Sequence, residues 1–212
     1  MIRLVQGRHR HQFSREVDEM FSIRKRVFLE RMHWDVTCIN RWEIDGYDAL
    51  DPLYVLSLNE DARVVGGVRL LPTTGFNMLN DTFSVLLPEG ERIENPRIWE
   101  SSRFSVDHEA DALLGPKGVG RATAELILAM NEVGERLGLS HIVTVYDALM
   151  HRMLSRIGCA GEPIGEPVRI GKVLTYAVFV EIGDAIEKAV KAASGIEGSV
   201  LETETARYAL AA

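Results

Sequence analysis

Three runs decide the fold: RIWESSRFSV (97–106), the turn LGPKGVGRA (114–122) leading into a helical pattern, and SHIVTVY (140–146). The outer two are β-rich, and the middle one opens on glycines and predicts a helix over 118–137. A strand, helix and strand in this order form a parallel crossover, right-handed by the usual rule. The first strand is unusual because Glu100 and Arg103 interrupt its pattern. Three residues apart on a regular strand, they point to opposite faces. If both serve one site, the strand needs a bulge between them. Such a bulge also opens a cleft against the strand at 140–146.

Outward from this unit, Leu53–Leu58 and Arg63–Leu71 read as strands joined by a hairpin turn at 59–62. Residues 76–88 form a mixed connection with a short helix, 147–157 a helix, 173–181 a strong strand and 183–193 an amphipathic helix. Near the start, 14–32 reads as a helix whose one face carries Val17, Phe21, Arg24 and Phe28, which places an arginine on the stripe to be buried. Residues 37–50 lose periodicity and read as a loop. An antiparallel meander followed by alternating helices and strands implies an α/β or α+β sheet covered on both faces. One domain is expected over 1–193, with 194–212 a peripheral tail.

The chain has 212 residues, 46% hydrophobic and 26% charged, an ordinary composition for a globular protein with a real core. No apolar run approaches the ~20 residues of a membrane helix, and the N-terminus lacks the apolar stretch of a signal peptide. A cytoplasmic protein with no membrane insertion is expected. The net charge of -7 argues against general nucleic-acid binding. Cys38 and Cys159 suggest neither a disulfide framework nor a metal cluster, and His33, His141 and His151 form no metal or nucleophile constellation.

The glycine turn has two readings: free amides at a helix start that bind phosphate, or a plain structural turn. It is not a P-loop, since no Gly-Lys-Ser/Thr follows at the required spacing. It resembles the pyrophosphate loop of the GCN5-related N-acetyltransferases, although Gly115 stands where that pattern has Gln or Arg. A dispersed set is more specific: Arg24, Phe28, Trp34, Asp45, Asp48, Arg69, Glu100 and Arg103. Apart from Trp34, these lie in the strings RKRVF (24–28), EIDGYD (43–48), GGVRLLPTT (66–74) and WESSRF (99–104). In order and nearly in spacing they resemble the acyl-homoserine lactone synthases, the autoinducer synthases of bacterial quorum sensing, over roughly residues 1–180.

That resemblance implies a three-layer α-β-α sandwich of acetyltransferase type, its mixed twisted sheet split by a V-shaped cleft between two central parallel strands. It implies an acyltransferase that joins an acyl group, with a 3-oxo chain as one option, to the amine of S-adenosylmethionine and releases methylthioadenosine as the lactone closes. Charged groups buried together must pair with each other or with a charged ligand, and S-adenosylmethionine carries an ammonium, a carboxylate and a sulfonium. Asp45 and Asp48 can meet the cationic groups, Arg24 or Arg103 the carboxylate, and Phe28 and Trp34 the adenine or sulfonium, with Arg69 in the same substrate-binding set. The competing reading is a structural ion-pair network with core aromatics.

Glu100 is the candidate general base, if its pKa is raised, with Arg103 and Asp45 as its catalytic partners; otherwise it only pairs with Arg103 or Arg69. For the acyl chain the candidates are Ser102, Phe104, Ile142, Thr144 and Met150, with Leu149, Met153 and Leu154 as further tunnel or core positions. By resemblance, a threonine at 144 accompanies 3-oxo donors; alternatively it is a satisfied strand residue. For the carrier's pantetheine arm the candidates are Lys117, Gly118, Gly120 and Arg121, with Arg152, Arg156 and Lys172 adding a basic face for an acidic acyl carrier protein. Acyl-coenzyme A is the other possible donor. No metal and no separate cofactor are implied. Two rivals stay open: an ordinary acyl-coenzyme A-dependent N-acyltransferase, and a non-catalytic regulator.

Overall fold

A computed structural model describes residues 1–111 and 114–201. The elements are β1 (Ile2–Gln6), α1 (Ser14–Lys25), β2 (Cys38–Ile39), β3 (Trp42–Glu43), β4 (Leu53–Leu58), β5 (Val64–Pro72), α2 (Met78–Asp81), β6 (Ile98–Val106), α3 (Arg121–Leu137), β7 (His141–Asp147), α4 (Ala148–Ile157), β8 (Glu162–Pro163), β9 (Val168–Ile170), β10 (Val173–Glu181) and α5 (Asp184–Ser194). The main sheet runs β1-β4-β5-β6-β7-β10-β8, with β9 also on β10. Among the described residues only β6 and β7 pair parallel; the other strand contacts are antiparallel. Helices cover both faces, so the expected three-layer sandwich is what the chain forms.

One face carries α1, α2 and the loops between them. There Val17, Met20, Phe21 and Val27 pack on Val5, Tyr54 and Leu56. The other face carries α3, α4 and α5. The stripe Ala122, Leu126, Ala129 and Val133 of α3 lies on Ile2, Val55, Leu70 and Ile142, while Ala124, Ile127 and Leu128 meet α4 and α5. Every residue of β4 is buried, as befits a strand covered on both sides. Gly67 lets α1 approach β5 closely, since a Cβ there would stand 3.1 Å from both Met20 Cγ and Leu56 Cδ2. That approach carries Arg24 toward Arg69.

The departures from expectation have local causes. The helix from Ser14 changes to a wider π turn over Arg26–Arg31, closed by Met32 N–H donating to the Val27 carbonyl at 3.0 Å. The loop at 37–50 holds a two-residue hairpin and a 3-10 turn, Gly46–Ala49. β1 was not expected, because its five residues sit in a charged flank. Helix α3 starts at Arg121, not 118, because Gly118 has a φ of +69° and Gly120 occupies the cap position. Beyond 194, Leu201 is 5% exposed within the α3 core, and Glu132 accepts from the Val200 and Leu201 amides. That part of the tail is therefore packed; 202–212 lie outside the described residues. Among the described residues no helix is long and apolar enough to cross a membrane.

Candidate active site

The loop ahead of β4 shapes the site through a local capping box. Asp45 accepts from the Tyr47 amide at 2.9 Å, and Asp48 accepts from the Asp45 amide at 2.9 Å. The box aims both carboxylates inward, next to Glu43 at the end of β3. Three arginines meet them: Arg24 from α1, Arg69 from β5 and Arg103 from β6.

The six charges close into a ring of alternating sign. Arg24 donates to Glu43 at 2.5 Å and, through both terminal nitrogens, to Asp48 at 2.9 and 3.0 Å. Arg69 donates to Asp48 at 2.9 Å and to Asp45 at 2.5 and 3.1 Å. Arg103 returns to Glu43 at 3.0 Å and reaches Asp45 at 3.0 Å. Each guanidinium also lies over an aromatic ring: Arg24 over Phe21, Arg69 over Tyr47 and Arg103 over Phe28, at 5.0, 5.4 and 5.4 Å. Phe28 in turn stacks on Trp34 at 5.3 Å.

This geometry explains how the charges tolerate burial: three positive and three negative groups satisfy one another with charge-assisted hydrogen bonds. Burial alone would raise the Asp48 pKa. The charge of Arg24, its hydrogen bonds and the charge of Arg69 overcome that and hold the carboxyl well below the ordinary range. The ring is not uniformly accessible. The side chains of Arg24, Glu43, Asp48 and Arg69 are at most 1% exposed, whereas Asp45 is 15% and Arg103 11% exposed. The accessible edge of the ring is Asp45–Arg103. Arg24, Asp48 and Arg69 lie buried behind that edge.

The bulge is present, and it sits at Arg103 itself. Arg69 pairs with Ser102 and Gly67 with Ser105, so Arg103 and Phe104 together oppose the single residue Val68. Arg103 takes a φ of +58°. That left-handed conformation costs a non-glycine residue about 1–3 kcal/mol. It turns Arg103 to the side of the sheet that carries Ser102 and Glu100, where its ion pairs hold it. Just ahead of the bulge β6 parts from β7: their parallel pairing runs from Ile98/His141 to Ser101/Thr144 and stops. Past that point Ser102–Val106 and Val145–Asp147 are unpaired with each other, like the arms of a V. Thr144 stands at its apex, its hydroxyl donating to the Ser101 carbonyl at 3.3 Å.

Glu100 lies beside the ring and is 1% exposed. Its two oxygens accept from the Met78 and Leu79 amides, at 3.0 and 2.5 Å, at the start of α2. Met78 Sδ contacts Arg69 and Arg103 at 3.2 and 3.4 Å, so one residue separates Glu100 from the ring. Glu100 pairs with neither arginine, against the alternative role considered for it. Burial raises its pKa; the two amides and the arginine charges oppose that without cancelling it.

The remaining candidates fall elsewhere. Ser102 is at the ring and accepts from Arg69 Nε at 3.1 Å. Ile142 is core beneath α3, Phe104 packs against both apolar clusters of that side, and Met150 packs on the α4–α5 cluster. The glycine turn is stitched into the protein. A Cβ on Gly115 would stand 2.5 Å from Ser194 Cα, and one on Gly120 would collide with Asp111 Oδ2. Asp111 already accepts from the Ala122 amide at 2.9 Å, so a carboxylate occupies the start of α3. The structural reading of Gly115 and Gly120 is thereby accounted for. Arg121 donates to Glu125 at 2.9 Å, while Lys117 and Gly118 stay exposed, with Arg156 Nη2 3.9 Å from where a Cβ on Gly118 would stand.

Sequence reasoning missed Glu43 as a site residue. It was visible only as the first of three acids at 43, 45 and 48, and nothing local distinguishes the one that is fully buried.

A family profile described as autoinducer synthase matches residues 8–190. An acyl-homoserine-lactone synthase of Pseudomonas aeruginosa is 36% identical over 183 residues, covering 84% of this chain and 89% of that one. One from Agrobacterium fabrum is 37% identical over 159 residues, 75% of each. Among solved structures, the crystal structure of the AHL synthase LasI superposes with a TM-score of 0.77 at 33% identity, over 93% of this chain and 98% of that one.

Proposed function

The chain belongs to the autoinducer synthase family, and on that premise we propose that it makes an N-acyl-homoserine lactone from S-adenosylmethionine and an acyl thioester. The observation that carries this reading is the ring of three arginines and three carboxylates whose one open edge, Asp45–Arg103, presents both signs of charge beside Glu100 and a split sheet. An α-amino acid end, with its ammonium and carboxylate, complements that edge. Phe28 and Trp34 supply the aromatic surface for the cationic sulfonium or the adenine.

The acyl thioester enters between β6 and β7, on the pantetheine arm of an acyl carrier protein or of coenzyme A. Lys117, Gly118 and Arg121 remain our candidates for the carrier side, together with Arg152, Arg156 and Lys172; at Gly120, grouped with them from the sequence, the space is occupied by the Asp111 carboxylate. Phe104, Ile142, Thr144, Met150 and Ser102 are our candidates along the acyl path.

The amine must shed a proton before it attacks. Glu100, with its raised pKa, takes that proton directly or through one water. The new C–N bond forms as the thioester C–S bond breaks; of the two protons that the ammonium nitrogen loses on becoming an amide N–H, one ends on the released thiolate, giving the thiol, and the other passes to solvent. The substrate carboxylate then displaces neutral methylthioadenosine from its γ-carbon and closes the lactone. The sulfonium is already a good leaving group, so this step rests on orientation rather than acid–base help. S-adenosylmethionine is a substrate here, and the scheme calls on no metal and no further cofactor. Both substrates are intracellular metabolites, which assigns the enzyme to the cytoplasm.

The test is to supply S-adenosylmethionine with acyl thioesters of varied length and identify products by mass spectrometry. Acylated lactone is expected. An acyl product without lactone would favour the ordinary N-acyltransferase, and no turnover with any donor a non-catalytic protein.

A further inference from the structure

The ring poses a problem for ligand binding. It is closed and neutral, yet an incoming ammonium and carboxylate must find partners in it. Asp45 and Arg103, its two accessible members, are bonded to each other at 3.0 Å. A zwitterion can enter only if that pair opens, the ammonium taking Asp45 and the carboxylate taking Arg103. The exchange conserves charge, since one ion pair becomes two.

Each member then needs a second anchor that does not move. Asp45 has one in Arg69, through two hydrogen bonds at 2.5 and 3.1 Å, and another in the Tyr47 amide at 2.9 Å. Arg103 is differently placed. Its backbone is strained at φ +58° and its side chain lies over Phe28. Apart from Asp45, its ionic partner among the described residues is Glu43, reached by Nε at 3.1 Å and Nη2 at 3.0 Å. Glu43 is fully buried, and its other oxygen is held by Arg24 Nε at 2.5 Å. It cannot follow the ligand or swing away.

We propose that Glu43 is the positioning residue for this reaction: it fixes the Arg103 guanidinium while Asp45 exchanges that arginine for the ammonium of the substrate. The inference rests on the reading of S-adenosylmethionine as substrate. Glu43 does not touch the ligand; it acts through Arg103. Its effect must therefore be confined to ligands that carry the amino-acid end. Methylthioadenosine keeps the adenosine and a sulfur, there a neutral thioether, but has neither ammonium nor carboxylate, and so supplies the control.

The experiment is calorimetric titration of S-adenosylmethionine and of methylthioadenosine into the full-length protein, its Glu43→Gln variant and its Glu43→Asp variant. Glu43→Asp keeps the ring neutral and shortens the arm by one methylene, so it decides the matter if the glutamine variant does not fold. The expected result is that either variant weakens S-adenosylmethionine binding by about tenfold to a hundredfold, the equivalent of one lost charge-assisted hydrogen bond, and leaves methylthioadenosine binding unchanged. Equal weakening of both ligands would reduce Glu43 to a structural residue and overturn the proposal, as would unchanged binding of both. Failure of the unaltered protein to bind either compound would overturn this proposal and the substrate reading together.

Discussion

Replacing Arg24 by methionine tests whether the ring is held by charge balance or merely tolerated. The side chain is 1% exposed and donates three hydrogen bonds, at 2.5, 2.9 and 3.0 Å, to Glu43 and Asp48. Methionine fills much of the space and keeps an apolar contact with Phe21, so the change is electrostatic at first order. Each charge-assisted bond contributes about 1.5–3 kcal/mol, which sets a gross loss of roughly 5–9 kcal/mol. Part is recovered, because Asp48 keeps Arg69, the Tyr54 hydroxyl and the Asp45 amide, and Glu43 keeps Arg103. What remains is one uncompensated buried carboxylate, and removing one partner of a buried pair costs about 3–5 kcal/mol. Against a typical total of ~5–15 kcal/mol, that is a large fraction. Urea denaturation at neutral pH should show the midpoint falling with little change in slope. The pH dependence carries a sign. In the parent protein the depressed Asp48 pKa contributes stability that is full above the ordinary aspartate value of about 3.9 and is lost as pH falls toward the folded-state value. In the variant the excess carboxylate can take up a proton, so the stability gap should narrow as the pH is lowered toward 4. A loss under about 1 kcal/mol at neutral pH, or a gap that widens on acidification, would refute the account of the ring.

Glu100→Gln should lower kcat by about a hundredfold or more, the usual contribution of a positioned base, while S-adenosylmethionine still binds; the rising limb of the pH–rate profile, displaced above the ordinary carboxylate range in the parent, should vanish. A glutamine variant with that limb intact would remove Glu100 from the base role. Thr144→Val deletes the hydroxyl at the apex of the V and should shift the ratio of kcat/KM between 3-oxo and unsubstituted acyl donors; an unchanged ratio would make the threonine a strand residue only. Gly120→Ala places a Cβ against Asp111 and should cost about 1–3 kcal/mol by disturbing the carboxylate at the start of α3, read as a lowered Tm. A neutral Gly120→Ala would show that this turn is free to move.

The strands at 53–58 and 173–181 were legible to the residue because both are long and apolar and end at turn signals. The bulge was legible for a different reason: Glu100 and Arg103 sit on one strand at a spacing that a regular strand cannot reconcile with one site. Its position at Arg103, and the left-handed backbone there, were not, since any residue between the two could have absorbed the extra length. β1, β2 and β3 are too short for periodicity to register. The family resemblance selected five of the six ring residues, but it did not order them by depth. That order follows from the capping box and the close approach of α1 to β5, and it moves Arg24, Asp48 and Arg69 behind the accessible edge. The glycine turn shows the limit from the other side. A glycine that admits a ligand and a glycine that admits a neighbouring part of the chain look alike in sequence; at Gly115 the neighbour is the Ser194 backbone and at Gly120 the Asp111 carboxylate.

The central claim is that amide formation and lactone closure occur on one S-adenosylmethionine molecule at the Asp45–Arg103 edge. The most direct measurement is the stoichiometry of free thiol and methylthioadenosine released in the same reaction. Equal amounts are expected, each matching the lactone formed. Thiol released without methylthioadenosine would contradict it, since acyl transfer would then be going to another amine.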